Sequence, residues 1–208
     1  MINKNNNQSV SGQLTVDYYN KNYYAFVEST QNVDFSDIQN MFIDLLPKEA
    51  DILDFGCGSG RDAKYFLEHG YHVEAIDGST ELCRLASIYT GIEVRHMLFQ
   101  ELNEREKYDG IWACASILHL NKAELSGVFE KMSRALKKNG IIYTSFKYGD
   151  FEGMRNGRYF TDFTIETFSD FIKEVPEIYI EEKWISTDVR PGRNKEKWLN
   201  LILRKKDS

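Results

Sequence analysis

At 208 residues the chain has the length of one domain, and 42% hydrophobic residues, 13% aromatics and only 3 prolines let it bury a core, which argues against intrinsic disorder. The formal net charge of −6, from 26 Lys and Arg against 32 Asp and Glu, does not favour a surface made to hold nucleic-acid backbone or anionic membrane. Cys57, Cys83 and Cys114 are odd in number and far apart, which argues against a disulfide framework and a structural zinc site, and no metal site is expected. The polar N-terminus lacks an apolar signal core and no apolar run approaches the roughly 18 residues of a membrane span, so a cytoplasmic location is expected.

Residues 1–13 are rich in Asn, Ser and Gln and read as a flexible N-terminus. Tyr18 to Phe26 is compatible with a helix whose aromatics need a surface to cover. Ser36 and Gln39 fit a capping box, followed at helical spacing by Ile38, Met41, Phe42, Leu45 and Leu46 up to Pro47. Strands and helices then alternate: strand 52–55, helix 61–69 ending at Gly70, strand 73–76, helix 80–89 and strand 92–96. A strand over 108–114, apolar on both faces, reads as central and parallel. Asn121 can cap a helix with Leu125, Val128, Phe129, Met132 and Leu136 on one face, Lys137 and Lys138 at its negative end and Asn139-Gly140 as its stop. A strand over 141–146 follows, then a helix from Thr164 closed by Pro176, and two strand-like segments, 178–187 and 196–204, joined as a hairpin. The long 147–160 connection has no helical period and reads as a mobile loop. The fold class expected is α/β, doubly wound and Rossmann-like. Its seven-stranded sheet should be mostly parallel with the C-terminal antiparallel hairpin at the edge.

Between the first strand and its helix stands Gly56-Cys57-Gly58-Ser59-Gly60-Arg61-Asp62. Glycines there let the backbone turn sharply and approach a ligand, while helix N-terminal amides face whatever is bound. Asp77 ends the second strand, where a carboxylate can accept from both hydroxyls of a ribose. A dinucleotide fingerprint needs glycine where Arg61 stands, which disfavours a pyrophosphate cradle and an NAD-dependent oxidoreductase.

The arrangement Asp54-x-Gly56-x-Gly58-x-Gly60 followed by Asp77 resembles the class I S-adenosylmethionine-dependent methyltransferases. Residues 108–120, Tyr-Asp-Gly-Ile-Trp-Ala-Cys-Ala-Ser-Ile-Leu-His-Leu, look like the family's fourth-strand motif, and Leu136 to Ile141 looks like its turn before the fifth strand. Together these cover roughly residues 50–147, and the chain is most similar to small bacterial enzymes of the tellurite-resistance and ubiquinone-biosynthesis types. The resemblance implies a methyltransferase with S-adenosylmethionine as cofactor and S-adenosylhomocysteine as product, acting by in-line displacement on a small-molecule acceptor. It divides a single domain over 14–208 into an N-terminal helical lid at 14–47, a cofactor-binding core at 48–147, and an acceptor-side connection and hairpin at 148–208.

Carried over, the resemblance puts Gly56, Gly58 and Gly60 along the methionine half of the cofactor, Asp77 on its ribose, and Gly78 and Ser79 beside the adenine, with Cys57 of the same loop at the cofactor as a small packing residue rather than a nucleophile. Asp54 would orient the glycine loop or reach the cofactor's amino group through water; Ala113 and Ser116 would flank the methionine. The family often has an acid after the third strand, where this chain has Met97 to Leu102, so backbone around Phe99 and Gln100 would meet the adenine. Arg61 could pair with the cofactor carboxylate or with a neighbouring acid. His119 could act as general base or shape the pocket. Tyr19, with Tyr18, Tyr23 and Tyr24, could belong to a lid over the cofactor or to a plain covering helix. Lys147, Arg155, Arg158, Arg190 and Arg193 could gather at an acceptor site or be solvated. RNA or protein methylation and a non-catalytic cofactor-binding role are the alternatives; no Asn/Asp-Pro-Pro-Tyr sequence follows the fourth strand, and a monomer or homodimer is expected.

Overall fold

A computed structural model describes residues 9–207. Helix α1 (Val10–Thr30) leads, broken by a non-helical Asn22, and α2 (Ser36–Ile43) follows. Strand and helix then alternate through β1 (Asp51–Phe55), α3 (Arg61–Glu68), β2 (His72–Asp77), α4 (Thr80–Thr90), β3 (Val94–His96), β4 (Tyr108–Ala113), α5 (Lys122–Ala135) and β5 (Leu136–Lys147). A small hairpin, β6 (Glu152–Arg155) and β7 (Arg158–Thr161), precedes α6 (Ile165–Phe171), and β8 (Ile178–Thr187) and β9 (Lys197–Lys205) end the chain.

The main sheet has the order β3-β2-β1-β4-β5-β9-β8. Its first five strands are parallel, and β9 runs antiparallel beside β5 with β8 at the edge. Successive residues of β1 serve opposite faces, as the period of a strand requires. Ile52 packs with Phe42 of α2 and Phe66 of α3, whereas Leu53 and Phe55 join the larger core with Val128 and Phe129 of α5 and Phe168 of α6. Both faces are covered. Chain order reverses direction between β1 and β4, so their carboxyl ends open a crevice where an α/β sheet binds ligands.

Several local expectations are corrected. Residues 1–8 of the expected flexible terminus lie outside the described residues. Ser9 caps α1 by accepting from the Gly12 amide at 3.1 Å, which makes Val10 to Gln13 its first turn. No capping box forms at Ser36, because its amide and hydroxyl both bond Asp34 while Gln39 reaches Asp62 at 2.7 Å. The helix ends at Ile43, four residues short of Pro47. Lys137 does not close α5: it lies on β5 and bridges Asp51 (2.7 Å) and Asp109 (2.8 Å), tying the entrances of β1, β4 and β5. The 147–160 connection holds the β6–β7 hairpin, turned by Asn156 and Gly157, both at positive φ (50° and 79°), as a two-residue turn of this hand requires. The cap at Asn121, by contrast, is a complete box with Glu124.

Close approach fixes how α2 lies on the sheet. A methyl group at Gly110 of β4 would stand 2.7 Å from the Phe42 ring and 3.0 Å from Leu46. Gly110→Ala is therefore expected to lower unfolding free energy by about 1–3 kcal/mol through overpacking. Gly127→Ala, inside α5 with nothing within 4 Å of the added carbon, should instead raise it by about 0.4–1 kcal/mol. Denaturant unfolding of the two variants measures both signs.

Candidate active site

The crevice is a cavity of about 760 Å³. Its floor is the loop after β1. Gly56, Gly58 and Gly60 all have positive φ (87°, 55° and 80°), and the amides of Gly56 and Cys57 both donate to the Ile76 carbonyl. An added carbon at Gly56 would strike Ser116 at 2.5 Å, and one at Gly58 would meet the Phe26 ring of α1 at 2.9 Å. Gly60 serves another purpose: it starts α3 and faces Thr90 and Ala86 of α4, so its missing side chain lets two helices approach.

Asp77 reaches back across this floor. One oxygen accepts from the Gly58 amide (2.9 Å) and the other from the Ser79 amide (2.8 Å), leaving further lone pairs on a carboxylate that lines the cavity. Burial raises its pKa and the two amides oppose the rise. Gly78, Phe99 and Gln100 line the same end; the Phe99 ring sits 4.8 Å from Phe55, and Gln100 donates to Glu124 at 3.4 Å. Ser79 also lines it, although its hydroxyl is engaged, capping α4 and donating to Asn20 of α1 at 2.7 Å. Ser116 donates to the Phe55 carbonyl at 2.6 Å, which brings the end of β4 against the glycine loop.

Asp54 and Ala113 are buried beneath the cavity and do not line it. Burial, with the charge of Asp62 adding, lifts the Asp54 carboxyl well above its ordinary value, and its Oδ2 has no hydrogen-bond partner. Arg61 lines the cavity, but its guanidinium is held by Asp62 through two hydrogen bonds (2.7 and 2.9 Å) and lies over the Phe35 ring.

Above the floor, His119 is 8% exposed. Its Nδ1 faces the Tyr159 carbonyl at 2.6 Å, an acceptor, so Nδ1 carries the proton; Nε2 then accepts from the Tyr19 hydroxyl at 2.9 Å. Arg158 donates to the Tyr19 oxygen at 3.2 Å. Burial drives the His119 pKa down to about 4 against the pull of the Tyr159 carbonyl, with the Arg158 charge adding. The imidazole is neutral at physiological pH, with its lone pair already used by Tyr19. Burial likewise raises the Tyr19 phenol, and Arg158 opposes it.

Sequence reasoning missed Phe26, Asn20 and Asp62. The acid beside Arg61 was a usable signal for Asp62; the pairing of Asn20 with Ser79, 59 residues away, had none. The cations Lys147, Arg155, Arg158, Arg190 and Arg193 do line this one cavity.

Residues 52–140 match the family model described as a methyltransferase domain. That stretch, from β1 into β5, is a methyltransferase domain and holds the glycine loop and Asp77. Among solved structures, the chain is similar over its whole length to the Burkholderia thailandensis 1,6-didemethyltoxoflavin-N1-methyltransferase with bound 1,6-didemethyltoxoflavin and S-adenosylhomocysteine: 19% identity, TM-score 0.76, 98% of that chain covered. It is similar over 97% of its length to the magnesium protoporphyrin IX methyltransferase of Synechocystis PCC 6803 with bound S-adenosylmethionine (14% identity, TM-score 0.71, 100% of that chain). It is also similar over 93% to the [4+2]-cyclase SpnF (13% identity, TM-score 0.72, 98% of that chain). These likenesses are of fold. No curated protein matches the sequence significantly. Among the described residues, no helix is long and apolar enough to cross a membrane and no cluster of side chains could hold a metal ion.

The residues present suit S-adenosylmethionine: a glycine turn on which a Cβ at Gly56 or Gly58 would strike Ser116 or Phe26, and a half-buried carboxylate, Asp77, with free lone pairs lining the cavity. Asp77→Ala is expected to weaken S-adenosylhomocysteine binding by about tenfold or more, since charge-assisted hydrogen bonds are worth roughly 1.5–3 kcal/mol; titration calorimetry measures it. A second expectation concerns His119, which titrates near 4 in the fold against 6.5 as an ordinary histidine. Between those values the unfolded chain binds the extra proton, so the His119 contribution to stability is full above about pH 6.5 and falls by roughly 3 kcal/mol in all as pH drops toward 4. Asp54 and Asp77, whose carboxyls burial raises, contribute with the opposite sign, so the His119 part is read as the difference in slope between the wild type and His119→Asn in denaturant unfolding across that range.

Proposed function

We propose that the protein transfers the methyl group of S-adenosylmethionine, by in-line displacement, to a small-molecule acceptor held between α1, the turn Ile117–His119 and the β6–β7 hairpin. The observation that carries this reading is the roof of the cavity. Tyr19 of α1 is tied to His119 and Arg158, so three separate segments close over the space beyond the glycine floor. A chamber closed in this way suits a small molecule rather than a polymer strand. The Burkholderia thailandensis neighbour holds a small molecule, 1,6-didemethyltoxoflavin, beside S-adenosylhomocysteine, which agrees with that choice.

When bound, the cofactor supplies a methyl group already activated on a sulfonium. The chain's own residues then have mainly to position and to exclude water, and oriented reactants can account for much of the rate. Gly56 and Gly58 let the backbone come close to the cofactor's methionine half, and Asp77 fixes its ribose. Phe26, pressed on Gly58, keeps water from the loop. Phe99 and Gln100 border the adenine end, and Ser116 holds the end of β4 against the floor. Neutral His119 keeps the Tyr19 hydroxyl in place at the junction of the two halves; with its lone pair occupied and its pKa near 4, it serves here as a positioning residue.

Fold alone does not select the chemistry, as the cyclase with the same architecture illustrates. Incubation with S-adenosylmethionine labelled on the methyl group, together with a small-molecule extract and separately with total RNA and protein, tests the reading. Label is expected in the soluble small-molecule fraction and not in acid-precipitable polymer. Label in RNA or protein alone would reassign the acceptor. Tight cofactor binding with no transfer to any fraction would favour a non-catalytic role.

A further inference from the structure

Resting on that reading of the cavity, we infer that the acceptor carries an anionic group, a carboxylate or a phosphate, and that Arg158 is the residue that selects for it. Lys147 of β5 and, from the two hairpins, Arg155, Arg158, Arg190 and Arg193 line the acceptor half beside the exposed Lys195 and Lys197, and of the first five all but Arg158 already have acids. Lys147 pairs with Glu196 and lies 3.7 Å from Asp188, Arg190 pairs with Asp188 at 2.5 Å, and Arg155 with Asp162 at 2.8 Å. Arg193 stands 3.9 Å from Glu196. Arg158 differs: among the described residues no carboxylate lies within ion-pair distance of it, and its Nε is buried with no hydrogen-bond partner.

The guanidinium is nonetheless held in place. It lies over Tyr18 (4.8 Å), Phe160 (5.1 Å) and Tyr19 (5.7 Å), and spends one donor on the Tyr19 hydroxyl. Aromatic faces steady a cation and restrict its rotamers, but they do not neutralise it. Nearby His119 is neutral and offers no compensating charge. A half-buried cation with donors to spare, fixed on rings and lining a ligand cavity, is a receptor for an oxyanion, because guanidinium geometry matches carboxylate and phosphate. The reaction sharpens this need. The sulfonium adds a second positive charge to the same enclosed space, where screening by water is weak, and an anionic acceptor relieves the repulsion. The ring faces around Arg158 further suit an acceptor that is flat where it meets them.

The test uses the protein loaded with S-adenosylhomocysteine and three flat probes: benzoate, phenyl phosphate and neutral benzamide. At least one anion is expected to bind about tenfold or more tightly than benzamide, as charge-assisted bonds imply, and the better of the two anions distinguishes carboxylate from phosphate chemistry. The preference should vanish in Arg158→Gln and survive in part in Arg158→Lys. In the wild type it should weaken as salt rises, a measurement that stands if Arg158→Gln fails to fold. Equal binding of all three probes, no anion binding up to the solubility limit, or a preference unchanged in Arg158→Gln overturns the inference. S-adenosylhomocysteine affinity is measured first: its absence would defeat the cofactor reading, whereas its presence without anion preference defeats only the role given to Arg158.

Discussion

The carboxylate of Asp62 holds the ground on which the rest of the molecule stands. It accepts four hydrogen bonds: from Gln39 and Arg61 Nε on one oxygen (both 2.7 Å), and from Trp112 and Arg61 Nη2 on the other (2.8 and 2.9 Å). Those donors come from α2, α3 and β4, so one buried group ties the two helices on one face of the sheet to a central strand. A buried charge is tolerated only when paired and hydrogen-bonded, and this one is both. It also lies in the first turn of α3, where the helix dipole favours a negative charge. Burial alone would depress the Arg61 guanidinium, but Asp62 raises it above its ordinary value and keeps it charged. The glycine loop therefore enters α3 on a fixed foundation.

On that foundation the cavity is polarised. Asp77 and, beneath the floor, Asp54 are acids whose pKa values burial has raised, and they crowd the cofactor end. The opposite end is lined by Lys147, Arg155, Arg158, Arg190 and Arg193. Tyr19 and His119 stand at the junction, uncharged, and their hydrogen bonds run in one sense from Arg158 through the phenol and the imidazole to the Tyr159 carbonyl. A chain of donors with one direction polarises each member along it.

The alternation of strands and helices from 51 to 147 was legible because its signals are local: apolar runs, a helix stop at Gly70, a cap at Asn121 answered by Glu124. The floor of the site was legible for the same reason, since Gly56, Gly58 and Asp77 are read from their places at strand ends. What escaped was decided by partners distant in sequence. Ser36 and Gln39 carry the letters of a capping box, yet Gln39 gains more from a buried carboxylate 23 residues on than from its own helix end. Lys137 fits a helix terminus equally well until Asp51 and Asp109 are seen beside it. The β6–β7 hairpin is a different case, because Asn156-Gly157 was a strong turn signal within a segment otherwise read as a loop.

The clasp over the cavity also has a consequence in time. Tyr19 bonds His119 across 100 residues and Arg158 across 139. Ribosomal synthesis runs from the N-terminus, so α1 emerges well before its partners, and Arg158 is made 139 residues after Tyr19. The contacts that close the chamber are among the least local in the molecule, and contacts of that kind form late. A growing chain can build the glycine floor as soon as β1, β2 and β4 have paired, while the roof awaits the hairpin. During that interval the tyrosine face of α1 is uncovered, and the nascent protein depends on the polar residues interleaved with those aromatics to stay in solution.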